Sequence, residues 1–270
     1  MPIIIISSDS YNTGRKIGEK TAKATGYDYV DREILGPVAE KSNVREEKLI
    51  KALEEAPSFF GLSSKVRDKC LAYIQEASLG QLLKDNVVCH GLAAHLYVLD
   101  VSHVLKVRVL SDPEELASQL SSESGGSAEK MNKLLKRQDA QRKRWSLEAF
   151  GLDETDPSNY DMVINLSQID PDEAVKTIAD MIAYRKFQPI TYSTRCLRNK
   201  ELASRVRIVL IERFPDVRVQ ADDSTIVVET KAIKRERQKR IEVIKELAGG
   251  VKGVDYVEVH VANNIFRQAA

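Results

Sequence analysis

Short apolar segments alternate with longer segments of helical spacing over roughly the first 185 residues. Five apolar segments are predicted to be β-strands, at residues 3–6, 27–30, 86–89, 104–110 and 160–166. The first is a run of four isoleucines, and an apolar run without alternation is typical of a parallel strand that is buried on both faces. The pattern therefore predicts an α/β fold in which a parallel sheet carries helices on both faces.

In an open sheet of this kind, ligands bind beyond the carboxyl ends of the strands. The first such place is the loop after residues 3–6, before a helix that is predicted to begin at about Gly14. A loop at a helix N-terminus presents free backbone N–H groups, which bind phosphate. The Walker A pattern GxxxxGK[ST] is matched only in part, because Asp9 replaces its first glycine, Arg15 its lysine and Lys16 its magnesium-binding hydroxyl. An ordinary strand–turn–helix without a ligand is the alternative.

A second candidate for phosphate binding is the basic segment 130–144. As a helix, it places Arg137 and Arg144 on one side, and it places Arg142 three residues after Asp139, with which Arg142 can pair. Guanidinium groups suit phosphate because their planar fork donates two parallel hydrogen bonds. A solvated basic helix face is the alternative.

Composition and charge predict a domain boundary late in the chain. The 270 residues are 43% hydrophobic with a net charge of +1, but residues 191–270 carry a charge of +5 and the remainder −4. Residues 188–197 contain a proline and no helical period, so they are predicted to link a domain at 1–187 to a second at 198–262. No apolar stretch approaches the ~18 residues of a membrane span, and no signal peptide is recognised, so we expect a cytoplasmic protein.

Four motifs, taken in order, resemble the cytidylate kinase-like family, a branch of the P-loop nucleoside monophosphate kinases. Residues 14–17 (GRKI) match the family's helix start, and residues 29–35 (YVDREIL) resemble its aromatic-x-D-[KR]-E-[IL]-[IL] segment. Residues 139–142 (DAQR) match a D-x-x-R lid helix, and residues 156–165 (DPSNYDMVIN) match D-P-x-x-Y-D-[LM]-x-[IL]-N. The resemblance covers residues 1–187 and implies a P-loop kinase-like sheet that binds a nucleotide.

The resemblance also implies roles for individual residues. In relatives, the loop before the GRKI motif holds the donor phosphates, the D-x-x-R helix belongs to a lid, and the acidic segment faces the acceptor. The implied electrostatic clamp for phosphoryl transfer comprises the catalytic candidates Arg15, Arg137, Arg142 and Asp139. The implied nucleotide- and phosphate-binding residues are Ser10, Asn12, Thr13, Gly14, Arg15 and Lys16. The implied acceptor-binding residues are Asp31, Arg32, His90 and Asp161, of which Asp161 could instead cap a strand. ATP and magnesium are the implied cofactors, and no protein metal site is predicted.

Three departures from the family bear on catalysis. Where the family loop is rich in glycine, this chain has Tyr11, Asn12 and Thr13, whose side chains limit the approach of the backbone to phosphate. Asp9 adds a negative charge where anions should bind. His90 stands where a second signature, an apolar strand followed by GRG, has an arginine, and a neutral imidazole supplies little charge. An ordinary histidine at a strand end is the alternative.

The C-terminal segment 198–262 resembles a BON domain, a small α+β module. Its pattern predicts a helix at 200–213, strands at 217–219 and 225–229, and a basic helix at 234–247 before a glycine-valine turn and a last strand. The resemblance implies a role in binding a small ligand or a protein partner. Six cations could bind an anionic surface or form a solvated helix face, namely Lys231, Lys234, Arg235, Arg237, Lys239 and Arg240.

Two hypotheses of function follow. The first is an ATP-dependent nucleoside monophosphate kinase with a degenerate phosphate loop, which transfers phosphate to CMP or a similar acceptor. The second is a non-catalytic nucleotide- or phosphate-binding regulator whose BON-like domain binds a ligand or partner. The lid arginines favour the first, and the missing glycines and signature arginine favour the second. An integral membrane protein is not predicted, a homo-oligomer is compatible with both hypotheses, and nucleic-acid binding is disfavoured because the basic part lacks stacking aromatic residues.

Overall fold

The computed structural model describes residues 2–55, 61–124 and 128–263. The chain divides into two compact units, Met1–Thr194 and Arg195–Ala270. The described strands are β1 (Ile3–Ser8), β2 (Asp28–Val30), β3 (Val87–His90), β4 (Val104–Leu110), β5 (Met162–Asn165), β6 (Arg218–Asp222), β7 (Thr225–Ala232) and β8 (Tyr256–Asn263). The described α-helices are α1 (Tyr11–Thr25), α2 (Leu35–Ser42), α3 (Glu46–Glu54), α4 (Ser64–Leu82), α5 (Ala94–Tyr97), α6 (Pro113–Ser124), α7 (Ala128–Phe150), α8 (Pro171–Met181), α9 (Thr191–Ile211) and α10 (Arg237–Gly249).

The first unit is built on a five-stranded parallel sheet with the strand order β2, β3, β1, β4, β5. The central strand β1 is fully buried from Ile3 to Ile6. Its side chains alternate between the faces, so both faces of the sheet are covered. On one face, Ile4 and Ile6 pack against apolar residues of α1 and α8, including Ile17 and Ile178. The predicted parallel α/β sheet with helices is confirmed.

Helix α1 begins at Tyr11, three residues before the predicted start at Gly14. Ser10 is its N-cap, and the Ser10 hydroxyl accepts a hydrogen bond from the Thr13 N–H at 3.4 Å. The side chains that replace the family glycines are compatible with a helix, so the helical turn extends back to the cap. The connection from β1 to α1 therefore consists only of Asp9 and Ser10.

The second unit contains a three-stranded sheet with the order β6, β7, β8. Strands β6 and β7 form an antiparallel hairpin around Asp223, which has a positive φ of 51°, and β8 adds parallel to β7. The core of this unit packs Val206 and Leu210 of α9 and Ile244 of α10 against Ile226 and other apolar residues of the sheet. The unit is thus a small α+β module with its own core.

The segment that was predicted to be a linker is helical in part. Helix α9 begins at Thr191 and continues without a break past Arg195, where the second unit starts. Its only proline, Pro189, precedes the helix, and the hydroxyl of Ser193 hydrogen-bonds the Ile190 backbone. Within the described part of the chain, no helix has the length and apolar character needed to cross a membrane.

Candidate functional site

A cavity of about 440 Å³ opens at the carboxyl ends of β1 and β3. These strands run parallel and adjacent, so their last residues, Ser7, Ser8 and His90, lie together on its wall. The start of α1, Arg32 and the end of α3 also contribute to the lining, as do the turn after β3 and the helices α5, α6 and α7. The position agrees with the rule that open parallel sheets bind ligands beyond the carboxyl ends of their strands.

The short connection between β1 and α1 is held by Asp9. Both carboxylate oxygens of Asp9 accept from the Ser111 N–H at 3.0 Å, and Oδ1 also accepts from the Ser111 hydroxyl at 2.7 Å. Asp9 therefore joins the ends of two parallel strands, β1 and β4. The Ser111 N–H and hydroxyl stabilise the Asp9 carboxylate by hydrogen bonds, which explains how an acidic residue is tolerated beside a predicted phosphate site.

Gly14 allows α1 to approach β1 and β3 closely. A Cβ atom at this position would lie 2.2 Å from the Ser8 hydroxyl and 2.3 Å from His90 Nε2. Those two side-chain atoms are themselves 3.2 Å apart, within hydrogen-bond distance. The glycine shared with the family motif thus serves helix packing here, because its backbone is an ordinary part of α1.

Tyr11 fills the space that a glycine would leave open. Its hydroxyl donates to Asp31 Oδ2 at 3.1 Å, and the Arg32 guanidinium carbon lies 4.1 Å from its ring centroid. Its ring centroid is 5.1 Å from that of His90. Tyr11 therefore connects two predicted acceptor-binding residues, Asp31 and Arg32, to a third, His90.

The predicted charge-clamp residue Arg15 faces carboxylates. Its Nε lies 2.8 Å from Glu19 and 3.8 Å from Asp31, and Nη2 lies 3.2 Å from Glu33. The hydrogen bond with Glu19 and the nearby negative charges raise the pKa of Arg15. Three acidic neighbours already compensate this arginine, and it is not among the residues that line the cavity.

His90 is buried and neutral at pH 7. Burial, with a smaller contribution from Arg32 and Arg15, lowers its pKa to about 4, although Asp31 acts in the opposite direction. A neutral imidazole can hydrogen-bond a ligand but cannot replace the charge of an arginine. The site therefore lacks one of the positive charges that the family signature places at this strand end.

Arg142 reaches the cavity wall but also forms a buried ion pair. Its Nη2 donates to Glu154 Oε2 at 2.8 Å, and its Nη1 donates to the Leu53 carbonyl oxygen at 2.7 Å. The Glu154 side chain is only 1% exposed. One turn further along α7, Trp145 is fully buried and donates to the Ala52 carbonyl oxygen at 2.8 Å. This end of α7 is therefore anchored to α3.

A buried polar cluster that was not predicted from the sequence lies behind the cavity wall. Tyr160 donates to the Glu154 carbonyl oxygen at 2.7 Å and hydrogen-bonds the Ser7 hydroxyl at 3.2 Å. His95 stacks on the Tyr160 ring at 5.3 Å and lies 3.6 Å from Glu154. Burial and the nearby Arg142, Arg108 and Lys106 lower the pKa of His95 to about 3. Ser7, His95 and the segment that holds Glu154 and Tyr160 are far apart in sequence, so no spacing pattern relates them.

The remaining predicted residues lie away from the cavity lining. Asn12 and Lys16 are exposed on α1, Thr13 is half-buried there, and Arg137 is exposed on α7. The side chain of Asp139 is outside the described residues. Asp161 precedes β5, at the amino end of that strand, where it pairs with Lys106 at 2.9 Å and Lys186 at 2.8 Å. It also accepts from the Lys106 N–H at 3.0 Å, in keeping with the strand-capping alternative.

The five-stranded parallel sheet and its strand-end cavity define an α/β protein with a kinase-like fold. Residues 3–168 match the model of the cytidylate kinase-like family. The match spans more than half of the 270 residues, and this chain belongs to the cytidylate kinase-like family. No curated protein matches the sequence.

Solved structures share the fold at low sequence identity. An uncharacterized protein from Eubacterium ventriosum matches 68% of this chain and 100% of its own, with a TM-score of 0.50 and 18% identity. Shikimate kinase from Acinetobacter baumannii, solved with shikimate, matches 70% of this chain and 96% of its own, with a TM-score of 0.41 and 14% identity. A gluconokinase from Sinorhizobium meliloti matches 67% and 91%, with a TM-score of 0.37 and 16% identity.

Proposed function

We propose that the kinase-like unit binds a nucleotide with one phosphate group, such as CMP, and does not transfer phosphate. The observation that supports this best is the connection of only two residues, Asp9 and Ser10, between β1 and α1. A phosphate loop needs several consecutive backbone N–H groups that curve around the anion. Here the N–H of Thr13 is already bound by the Ser10 cap and the N–H of Gly14 by the Ser10 carbonyl oxygen.

The charges at the cavity also favour a ligand of low charge. Two arginines, Arg32 and Arg142, and three carboxylates, Asp9, Glu54 and Glu55, contribute to the lining. Arg32 is paired with Glu54 at 2.6 Å. The lining therefore has no positive excess to offset the charge of a nucleoside triphosphate.

Kinase-like families in general use nucleotides with magnesium, but the acidic groups near this cavity do not fit a magnesium-triphosphate. The Asp9 carboxylate is bound by Ser111, and the Asp31 carboxylate accepts from the Tyr11 hydroxyl and the Glu33 N–H. In the described residues there is no cluster of three or more His, Cys, Asp or Glu side chains that could hold a metal ion. We therefore assign no catalytic step to magnesium in this unit.

Phosphoryl transfer from ATP to CMP is the second candidate function. The presence of Arg142 on the cavity wall favours it, because a guanidinium group can stabilise charge on a transferring phosphoryl group. This function requires Arg142 to leave Glu154, its buried partner. Transfer also requires a binding place for the triphosphate of the donor, and the short β1–α1 connection argues against one.

Calorimetric titration of the full chain with CMP and with ATP-magnesium tests the proposal. We expect CMP to bind, ATP-magnesium to bind more weakly, and a coupled assay to detect no ADP release with both present. Arg32→Met should weaken CMP binding because Arg32 lines the cavity, whereas Lys16→Met, at an exposed position outside the lining, should not. ADP release that depends on CMP would establish the second candidate, and the absence of heat with both nucleotides would refute both.

For the second unit, we infer a BON-like module that binds a small ligand or a protein partner. The order of its elements, helix, two strands, helix and strand, supports this inference, as does the turn before β8, where Gly253 has a φ of +95°. Five of the predicted surface cations are exposed, whereas Arg240 is paired with Asp216. We expect the full chain not to sediment with phosphatidylglycerol vesicles or with phosphatidylcholine vesicles. Sedimentation with the anionic vesicles alone would instead assign this basic surface to lipid.

A further inference from the structure

Arg108, a buried arginine on β4, has no carboxylate partner among the described residues. Arg108 is 7% exposed, and its Nη1 lies 3.4 Å from the Ser7 hydroxyl and 3.4 Å from the Tyr160 hydroxyl. Among the described residues no acidic side chain forms an ion pair with it. Buried charges are normally paired, because a lone charge loses its hydration without compensation. Arg108 is therefore a cation in need of an anion.

The neighbouring carboxylates are already bound to other cations. Glu154 is paired with Arg142, and Asp161 is shared by Lys106 and Lys186. Lys106 is a buried cation on the same face of β4 as Arg108. Unlike Arg108, it is paired with a carboxylate, that of Asp161. This part of the first unit therefore carries an excess of positive charge.

The unpaired charge lies directly behind the cavity wall. In the sheet, Arg108 is the register partner of Ser7, which lines the cavity. His95 lines the same wall, is 2% exposed, and has no hydrogen-bond partner on either ring nitrogen. Three groups thus meet next to the Tyr160 hydroxyl: the Ser7 hydroxyl, an imidazole whose ring nitrogens form no hydrogen bond with the described residues, and the Arg108 guanidinium. The guanidinium carbon lies 5.7 Å from the Tyr160 ring centroid, and among the described residues the guanidinium has no carboxylate in an ion pair.

We propose that Arg108, with Ser7, Tyr160 and His95, binds an anionic oxygen group of the ligand at the inner wall of the cavity. The group is a phosphate or carboxylate, and in the nucleotide of the proposed function, on which this inference rests, it is the single phosphate. The guanidinium supplies the charge and two parallel donors, and the Ser7 hydroxyl and the neutral imidazole supply further hydrogen bonds. The Tyr160 hydroxyl donates its proton to the Glu154 carbonyl oxygen, so its part is to accept from Arg108 and hold the guanidinium in place. Residues of the sheet, Ser7 and Arg108, then bind the phosphate, and the start of the helix at Ser10 does not.

Thermal unfolding of the full chain, with probes added at constant ionic strength, tests this site. The probes are inorganic phosphate, acetate, cytidine and CMP. We expect phosphate and CMP to raise the Tm of the wild-type protein more than cytidine does, since a ligand that binds the folded state stabilises it. The acetate arm shows whether a carboxylate can take the place of phosphate.

The decisive variant is Arg108→Met, which keeps an unbranched side chain and removes the charge. Without probes its Tm should equal or exceed that of the wild type, because no ion pair is lost. Its response to phosphate should vanish, and its affinity for CMP should fall by about tenfold or more, as expected for lost hydrogen bonds to a charged group. Lys106→Met is the matched control and should keep the response to phosphate.

The outcomes separate this inference from the proposed function. If CMP binds wild type and Arg108→Met with equal affinity, the Arg108 site is refuted and nucleotide binding stands. If phosphate or acetate stabilises the wild type through Arg108 but CMP does not, the anion site stands and the proposal that the ligand is a nucleotide is refuted. A clear drop in the Tm of Arg108→Met without probes, or no anion effect on the wild type, would overturn the site.

Discussion

Arg142 should be required for the stability of the first unit, whatever its part in binding. The Arg142 guanidinium donates to Glu154 at 2.8 Å and to the Leu53 carbonyl oxygen at 2.7 Å, and the Glu154 side chain is 1% exposed. His95 does not replace the lost charge, because burial, the largest cause of its lowered pKa, remains in the variant. Arg142→Ala therefore leaves a buried carboxylate without a cation.

The expected cost follows from the burial of the pair. Removing one partner of a fully buried ion pair costs about 3–5 kcal/mol. We expect a cost at the lower end, about 3 kcal/mol, because Glu154 is buried but the Arg142 side chain is 32% exposed. For a unit of this size, 1 kcal/mol lowers Tm by about 2–4 °C, which predicts a loss of about 6–12 °C. A loss of activity in Arg142→Ala would for this reason not identify Arg142 as a phosphate ligand.

Urea unfolding of a double-mutant cycle measures the pair. Glu154→Gln added to Arg142→Ala removes the stranded charge and should recover about 2 kcal/mol of the loss. Arg144→Ala is the matched control on the same helix, because its pair with Glu148 is exposed and should contribute less than about 0.5 kcal/mol. An unfolding free energy for Arg142→Ala within 1 kcal/mol of wild type, or no coupling in the cycle, would refute the reasoning.

Two further predictions concern His90 and Gly14. Burial lowers the pKa of His90 to about 4 and that of His95 to about 3. As the pH falls below about 6.5, these histidines are therefore protonated in the unfolded state but not in the folded state. The unfolding free energy should fall by about 1.4 kcal/mol per pH unit for each histidine until the pH approaches 4. His90→Asn should reduce that slope, as followed by urea unfolding at several pH values, and a slope equal to that of the wild type would contradict the assignment. Gly14→Ala should destabilise the protein by about 1–3 kcal/mol, because the added Cβ would lie 2.3 Å from His90 Nε2. Gly80→Ala on α4, where a Cβ meets nothing within 4 Å, should be neutral or stabilising, and equal effects of the two substitutions in thermal unfolding would contradict the close approach.

The five strands of the first unit could be predicted because each lies within a short apolar segment of the sequence. The run from Ile3 to Ile6 is apolar on both faces, and β4 reads as a continuous apolar segment apart from Lys106 and Arg108. Such runs depend only on neighbours in the chain. The family motifs added the order of the elements, and the match over residues 3–168 agrees with them.

Helix α1 begins three residues before the start that the strand–loop–helix pattern predicts at about Gly14, because Ser10 caps the helix at Tyr11. The residues at 11–13 favour a helix that begins after a serine cap, and the structure follows that preference. The hydroxyl of Tyr11 then reaches Asp31, a contact across 20 residues that no pattern in the sequence indicates. The side chains at residues 11–13, where the family has glycines, thus determine the shape of the site.

The buried ion pairs could not be predicted because their partners are distant in sequence or lack periodicity. The lid motif predicts a phosphate-binding role for Arg142. Its buried partner, Glu154, comes after the end of α7, outside that motif. Arg108 was not among the predicted site residues, and only the register with Ser7 places it behind the cavity. Pairing of charges is decided by the fold, since a buried charge can be compensated from any element.

Phosphorus NMR of the full chain with ATP-magnesium and CMP tests the central claim most directly, because one sample reports both binding and transfer. The account predicts that the CMP resonance broadens or shifts on addition of protein, while no CDP or ADP resonance grows over hours. The growth of CDP and ADP together would show that the kinase-like unit catalyses transfer, and an unchanged CMP resonance would show that it does not bind this nucleotide. Either result would contradict the proposal of nucleotide binding without phosphoryl transfer.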